Sequence, residues 1–168
     1  MINDIQYGSA YNHKTQQQQD LMLDAYLPPD SDQRDKRPVV VVMHGGGFIS
    51  GDKQLDAIVQ YSKWLTMRGY AVVSIDYRLT GESWTWESQK AMFDAMEDFR
   101  AAIRFVRSNA EAYKLDTDKI IASGDSAGAL TSLFLAYAKE AQYEGNSGNP
   151  GFPSNVNGVI SISGELKD

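Results

Sequence analysis

The segment Lys119-Ile120-Ile121-Ala122-Ser123-Gly124-Asp125-Ser126-Ala127-Gly128-Ala129-Leu130 passes from a short apolar run, through a serine flanked by glycines, into a helical pattern. Lys119 to Ser123 predicts a buried strand. Leu130, Leu133, Phe134 and Tyr137 then recur at helical spacing and predict a helix face. Between them Gly124-Asp125-Ser126-Ala127-Gly128 is a Gly-x-Ser-x-Gly sequence. A sharp strand-to-helix turn strains the backbone of its central serine, and the flanking glycines remove the side chains that would collide there. The Ser126 hydroxyl is then lifted above the sheet as a candidate nucleophile. Taken alone, the pattern also fits a glycine-rich turn whose serine caps the helix.

Upstream, Val39 to Met43 is an unbroken apolar run of the kind found where helices cover both faces of a sheet, and it predicts a central parallel strand. It runs into His44-Gly45-Gly46-Gly47-Phe48. Three successive glycines let backbone amides point into a cavity unobstructed, where they can hold the charge of a tetrahedral intermediate. The partner donor in such a site is the amide of the residue after the nucleophile, Ala127. A lone His-Gly-Gly-Gly also fits a flexible turn or an anion loop.

Leu21, Leu23, Ala25 and Leu27 alternate with Met22, Asp24 and Tyr26, which predicts a half-buried strand paired with a short one near Ile5 and stopped by Pro28 and Pro29. Gln16 to Gln19 reads as a solvated turn and strand entry, and Asp30 to Arg37 as a charged loop. Leu55, Ile58, Val59, Ser62 and Leu65 predict a helix with Asp52 at its start and Gly69 at its stop. Ala71 to Ile75 predicts a buried strand. Met92, Ala95, Met96, Phe99, Ala102, Ile103 and Val106 form the core stripe of the next helix. After the Gly-, Asn- and Pro-rich stretch Gly145 to Pro153, Val156 to Ser163 predicts a last strand. Alternating strands and helices imply a mostly parallel sheet with right-handed crossovers, antiparallel strands at the N-terminus, and ligands at the carboxyl ends of the strands. Both glycine motifs fall at such ends, and one domain over residues 1–168 is expected.

The 168 residues are 42% hydrophobic and 23% charged, with a net charge of −6 and no basic cluster, which argues against a nucleic-acid partner. No run approaches the length of a membrane span. Met1 to Ala10 lacks the basic and apolar segments of an export signal, so a soluble protein is expected, with a cytoplasmic location favoured and the compartment left open. No cysteine is present, and no metal cluster or cofactor is expected. Asp116 and Asp118 read as a turn before a strand, and Glu97 with Asp98 as part of a polar helix face, with no acid–base or metal role for either pair.

The His44 to Phe48 loop, Asp76-Tyr77-Arg78, Gly124 to Gly128 and Ser161-Ile162-Ser163-Gly164 together resemble the α/β-hydrolase superfamily. The closer likeness is to carboxylesterase and hormone-sensitive-lipase-like esterases, with their acetyl-xylan and feruloyl esterase-like relatives. The resemblance spans the chain from the Asp20 strand onward. It implies a three-layer α/β/α fold, a small-molecule ester substrate, Ser126 as nucleophile, and Gly46 and Gly47 as loop donors beside Ala127. His44 and Gly45 would then support the loop. In that family the triad acid and histidine follow the serine, whereas the two histidines here, His13 and His44, both precede it. Glu165 reads as solvated. The expectation is therefore a partial domain lacking its C-terminal strands, nearly inactive alone, with an exposed sheet edge open to self-association. A non-catalytic binding module and a base donated by another copy are the competing readings. Phe48, Trp84 and Trp86 could line an acyl or aryl pocket beside Asp125, or equally pack a loop surface.

Overall fold

The computed structural model describes residues 1–81, 89–138 and 143–164. In chain order its elements are β1 (Ile2–Asn12), β2 (Gln17–Tyr26), β3 (Arg37–Met43), α1 (Asp56–Thr66), β4 (Ala71–Ile75), α2 (Lys90–Ser108), β5 (Leu115–Asp125), α3 (Ala127–Tyr137) and β6 (Gly158–Ile162). The strands form one six-stranded sheet in the order β1-β2-β4-β3-β5-β6. β1 and β2 pair antiparallel, as do β2 and β4, while β3, β4, β5 and β6 run parallel. The mixed sheet agrees with the arrangement expected from the sequence.

The valine run explains the layering. Successive side chains of a strand point to opposite faces, so Val39, Val41 and Met43 join the core beneath α2 and α3, while Val40 and Val42 pack with Ile58 and Leu65 of α1. One helix covers one face and two cover the other. Each such side chain stabilises the fold by about 1.5–3 kcal/mol on full burial. All seven residues of the α2 stripe are buried. Among the described residues no helix is long and apolar enough to cross a membrane.

Several elements depart from expectation for identifiable reasons. β1 is eleven residues long and not a short strand, because it pairs along nearly the whole of β2. Asp24 and Tyr26 are buried, not outward and solvated, since β2 lies between β1 and β4 with α1 over its second face. Asp52 does not cap α1, whose N-cap is Leu55; its carboxylate accepts from the Gln54 amide in the preceding turn. Tyr137 is exposed. The buried side of α3 is instead Ala127, Gly128, Leu130, Thr131, Ser132 and Leu135, where Thr131 and Ser132 satisfy their hydroxyls on the carbonyls of Ala127 and Gly128. Asp116 and Asp118 fall inside β5, where a register shift opens the pairing with β3.

The largest departure is Asp98. It is fully buried, with its carboxylate accepting from the backbone and guanidinium of Arg78 at 2.8 to 3.0 Å and from the Ser147 hydroxyl at 2.8 Å. Glu97, on the same helix, also reaches Arg78, at 3.2 Å. Arg78 further donates to the carbonyls of Tyr11 and Asp94, so one guanidinium ties β1, α2 and the stretch after β4 together. Removing one partner of a buried pair strands the other charge. Asp98→Ala is expected to cost roughly 3–5 kcal/mol in urea denaturation, and Arg78→Met with Asp98→Leu to recover most of that loss. An equal loss in the double variant would show that the pair is not the cause.

Candidate active site

Ser126 sits between the end of β5 and the first residue of α3 with φ 50° and ψ −112°. A non-glycine residue held there costs about 1–3 kcal/mol, so the surroundings must enforce it. They do so from both sides: the Ser126 amide donates to the Ile162 carbonyl of β6 at 2.9 Å, and its carbonyl accepts from Leu130 of α3 at 2.9 Å. The side chain is exposed, and among the described residues none hydrogen-bonds its hydroxyl. The glycines on either side are required by close approach. A Cβ on Gly128 would stand 2.2 Å from the Met43 carbonyl oxygen, and one on Gly124 would stand 2.3 Å from the Gly128 backbone. With hydrogens in those places, α3 lies directly against the end of β3.

That contact brings the glycine loop to the serine. A Cβ on Gly45 would lie 3.2 Å from Cβ of Ser126 and 3.0 Å from Oδ2 of Asp125. Gly46 and Gly47 follow with φ of 110° and 62°, and the Gly46 carbonyl accepts from the amides of Ile49 and Ser50 at 3.1 and 3.2 Å, closing the loop into a turn. Among the described residues no acceptor takes the amides of Gly46, Gly47 or Ala127. Ala127 opens α3, where the first amides lack intrahelical partners and carry the positive end of the helix dipole. Three free donors thus lie on the two segments that meet at Ser126.

His44 is buried under this loop. Its Nδ1–H donates to the Gly45 carbonyl at 2.6 Å, and its ring stacks on Tyr77 with centroids 4.4 Å apart. The Tyr77 hydroxyl donates to the carbonyls of His44 and Gly45 at 3.3 and 3.4 Å. Burial holds the imidazole below its ordinary pKa, against weaker opposite pulls from the Gly45 carbonyl, Asp76 and Asp52.

The far end of the loop is anchored by residues whose role the sequence reading did not find. The Lys53 amide donates to Asp76 at 2.7 Å, and its buried Nζ lies 2.9 Å from Asp4, 3.2 Å from Asp76 and 3.7 Å from Asp24. Burial alone would lower the Lys53 pKa, but these carboxylates hold it above the ordinary value. A lysine following a charged turn residue carries no sequence signal for such an anchor; the tripeptide Asp76-Tyr77-Arg78 was the visible half of it.

A cavity of about 360 Å³ opens beside Gly45, Gly46 and Asp125, walled by Leu55, Ile58 and Tyr61 of the α1 segment. Phe48, considered above for a pocket wall, is not among its lining. It is 1% exposed, and its positive φ of 65° accompanies a side chain turned into the core, edge-on to Tyr77. Trp84, Trp86 and Glu165 lie outside the described residues. His13 is exposed beside Tyr11 on the loop after β1.

A mixed sheet of this order, with a strained serine at a strand-to-helix turn under a glycine loop, is the architecture of the α/β-hydrolase esterases. The chain superposes on Thermogutta terrifontis esterase 2, solved phosphonylated by cyclosarin, with a TM-score of 0.79 at 25% identity, over 98% of this chain and 57% of that one. It belongs to the BD-FAE family, whose model matches residues 23–166. It is 36% identical over 118 residues to the carboxylesterase NlhH of Mycobacterium tuberculosis, covering 70% of this chain and 34% of that protein. It is also 32% identical over 143 residues to acetylcholinesterase 1 of Caenorhabditis briggsae, covering 82% and 23%. The chain thus spans a quarter to a third of these curated relatives and a little over half of the solved esterase.

Because the folded imidazole of His44 has a lowered pKa, the unfolded chain takes up its proton first as pH falls through about 6.5. The stability supplied by a neutral buried His44 is full above that pH and declines below it until the folded ring also protonates. Thermal melts between pH 7.5 and 5 should therefore show an acid-side loss in the native chain that is smaller in His44→Asn. Parallel curves for the two would remove His44 as its source.

Proposed function

We propose that this chain supplies the nucleophile and oxyanion half of a carboxylic ester hydrolase, with Ser126 as the nucleophile. The observation that carries the reading is the pairing of a strained, exposed Ser126 with unclaimed amides on the Gly46-Gly47 loop and on Ala127. In the proposed reaction Ser126 Oγ attacks the ester carbonyl carbon, and the oxygen that gains the negative charge is held by these amides. Each such donor is worth roughly 3–4 kcal/mol where it has been removed from a serine hydrolase. An imidazole takes the serine proton and returns it to the leaving alkoxide. Water then cleaves the acyl-serine, releasing the acid. The cavity beside Gly45 and Gly46 is the proposed seat of the ester, and the esterase names of the relatives support that class of substrate.

The imidazole is the part we assign to residues other than these 168. His44 is held through Nδ1 and its stacked ring as a brace of the loop, and His13 lies on the loop after β1. A serine without its base loses on the order of 10⁴- to 10⁶-fold in turnover. Joining the C-terminal portion of a longer family esterase to this chain should restore p-nitrophenyl ester hydrolysis by about 10⁴-fold or more, and Ser126→Ala should abolish the gain. A completed chain that folds but stays inactive would overturn the enzyme reading in favour of a hydrolase-fold binding module.

A further inference from the structure

A larger cavity, of about 870 Å³, lies away from Ser126 between α2, the end of α3 and the stretch from Glu144 to Val156. Leu135, in its wall, is nine residues along α3 from Ser126, or about 14 Å at the helical rise. Arg100 and Arg104 line the cavity from one face of α2, and Arg107 follows on the same face, at spacings that place all three in a stripe. Both lining arginines have side chains only 5% exposed. Among the described lining residues the only counter-charge is Glu144, which bonds Arg100 and Arg104 at 3.0 Å each and is itself 45% exposed.

The donors of this pair outnumber their acceptors. Arg100 gives one terminal nitrogen to Glu144 and Ser154 and the other to the carbonyls of Leu135 and Ala138, but its Nε–H is buried with no partner. Arg104 gives Nε to the Gly148 carbonyl and Nη1 to Glu144, and among the described residues nothing accepts from Nη2. Burial pushes the Arg104 guanidinium down, Glu144 pulls it back up, Arg100 adds repulsion, and Glu97 adds a smaller upward pull. Among the described residues, the carboxylates acting on this pair are Glu144, in direct contact, and Glu97, which acts on Arg104 from further off. The rest of the wall is mixed: Leu135, Pro150, Phe152 and Pro153 give it an apolar part, and Asn146, Ser154 and Asn155 a polar one.

We infer that this cavity is a binding site for a small organic carboxylate, its carboxyl group on the Arg100–Arg104 pair and its apolar body against Phe152 and Leu135. A carboxylate offers acceptors to the unmet Arg100 Nε–H and Arg104 Nη2, and a flat apolar group fits the part of the wall formed by Leu135, Pro150 and Phe152. Phosphate has no apolar body to set against Leu135, Pro150 and Phe152. The inference is independent of the chemistry proposed at Ser126, and its test does not read activity.

Isothermal titration of the 168-residue chain with benzoate, against phosphate and chloride at equal ionic strength, decides it. One saturable benzoate site is expected, with phosphate weaker. Glu144→Gln removes the competing anion while keeping its shape, so it should tighten benzoate several-fold. Arg104→Met keeps the apolar stem and should weaken benzoate about tenfold or more. If Arg104→Met does not fold, Glu144→Gln alone is decisive. No saturable benzoate heat, phosphate binding at least as tight, or unchanged affinity in Glu144→Gln would each overturn the assignment.

Discussion

The approach of Gly128 to the carbonyls of Met43 and His44 is the constraint from which the site follows. A methyl group there would lie 2.2 Å from the Met43 oxygen, so the first turn of α3 can rest on the end of β3 only because residue 128 has no side chain. Two segments some eighty residues apart are thereby fixed edge to edge, and each contributes what the other lacks. β5 and α3 present the strained Ser126 and the Ala127 amide, and the loop after β3 lays Gly45 to Gly47 beside them. The strain at Ser126, about 1–3 kcal/mol, persists because β6 holds its amide and α3 holds its carbonyl.

A loop of three glycines has little stiffness of its own, and the protein provides it from below and from the far end. His44 stacks on Tyr77, whose hydroxyl holds the His44 and Gly45 carbonyls. The next residue, Arg78, is clamped by fully buried Asp98. At the other end Lys53 is bound between Asp4 and Asp76. His44, Tyr77 and Lys53 thus hold the backbone of the loop from Gly45 to Lys53 in place. Under the proposed reading such a braced loop is preorganised for electrostatic stabilisation, since no reorganisation is needed when charge develops.

Much of this was legible in the sequence where one physical rule acted alone. The valine run gave the central strand because alternation and double-sided burial leave no other pattern, and the glycine motifs gave the elbow and the loop because only glycine tolerates those contacts. What escaped were pairings between distant residues. Asp98 sits beside Glu97 on α2 and reads as part of a polar face until Arg78, twenty residues away, is seen to pair with it in the interior. Phe48 follows the glycines and reads as a pocket wall until its backbone turns it inward. Tyr137 kept the helical period but faces solvent, because hydroxyls bonded to their own helix let Thr131 and Ser132 take the buried side.

The central claim is a prepared serine and oxyanion loop whose base comes from elsewhere. The most direct test is to follow a short-chain p-nitrophenyl ester with the 168-residue chain and its Ser126→Ala variant, first in buffer and then with imidazole added. The account predicts indistinguishable, feeble rates in buffer and a Ser126-dependent difference once imidazole is supplied. Substantial turnover in buffer that Ser126→Ala removes would contradict it, and would place the base on a residue already present.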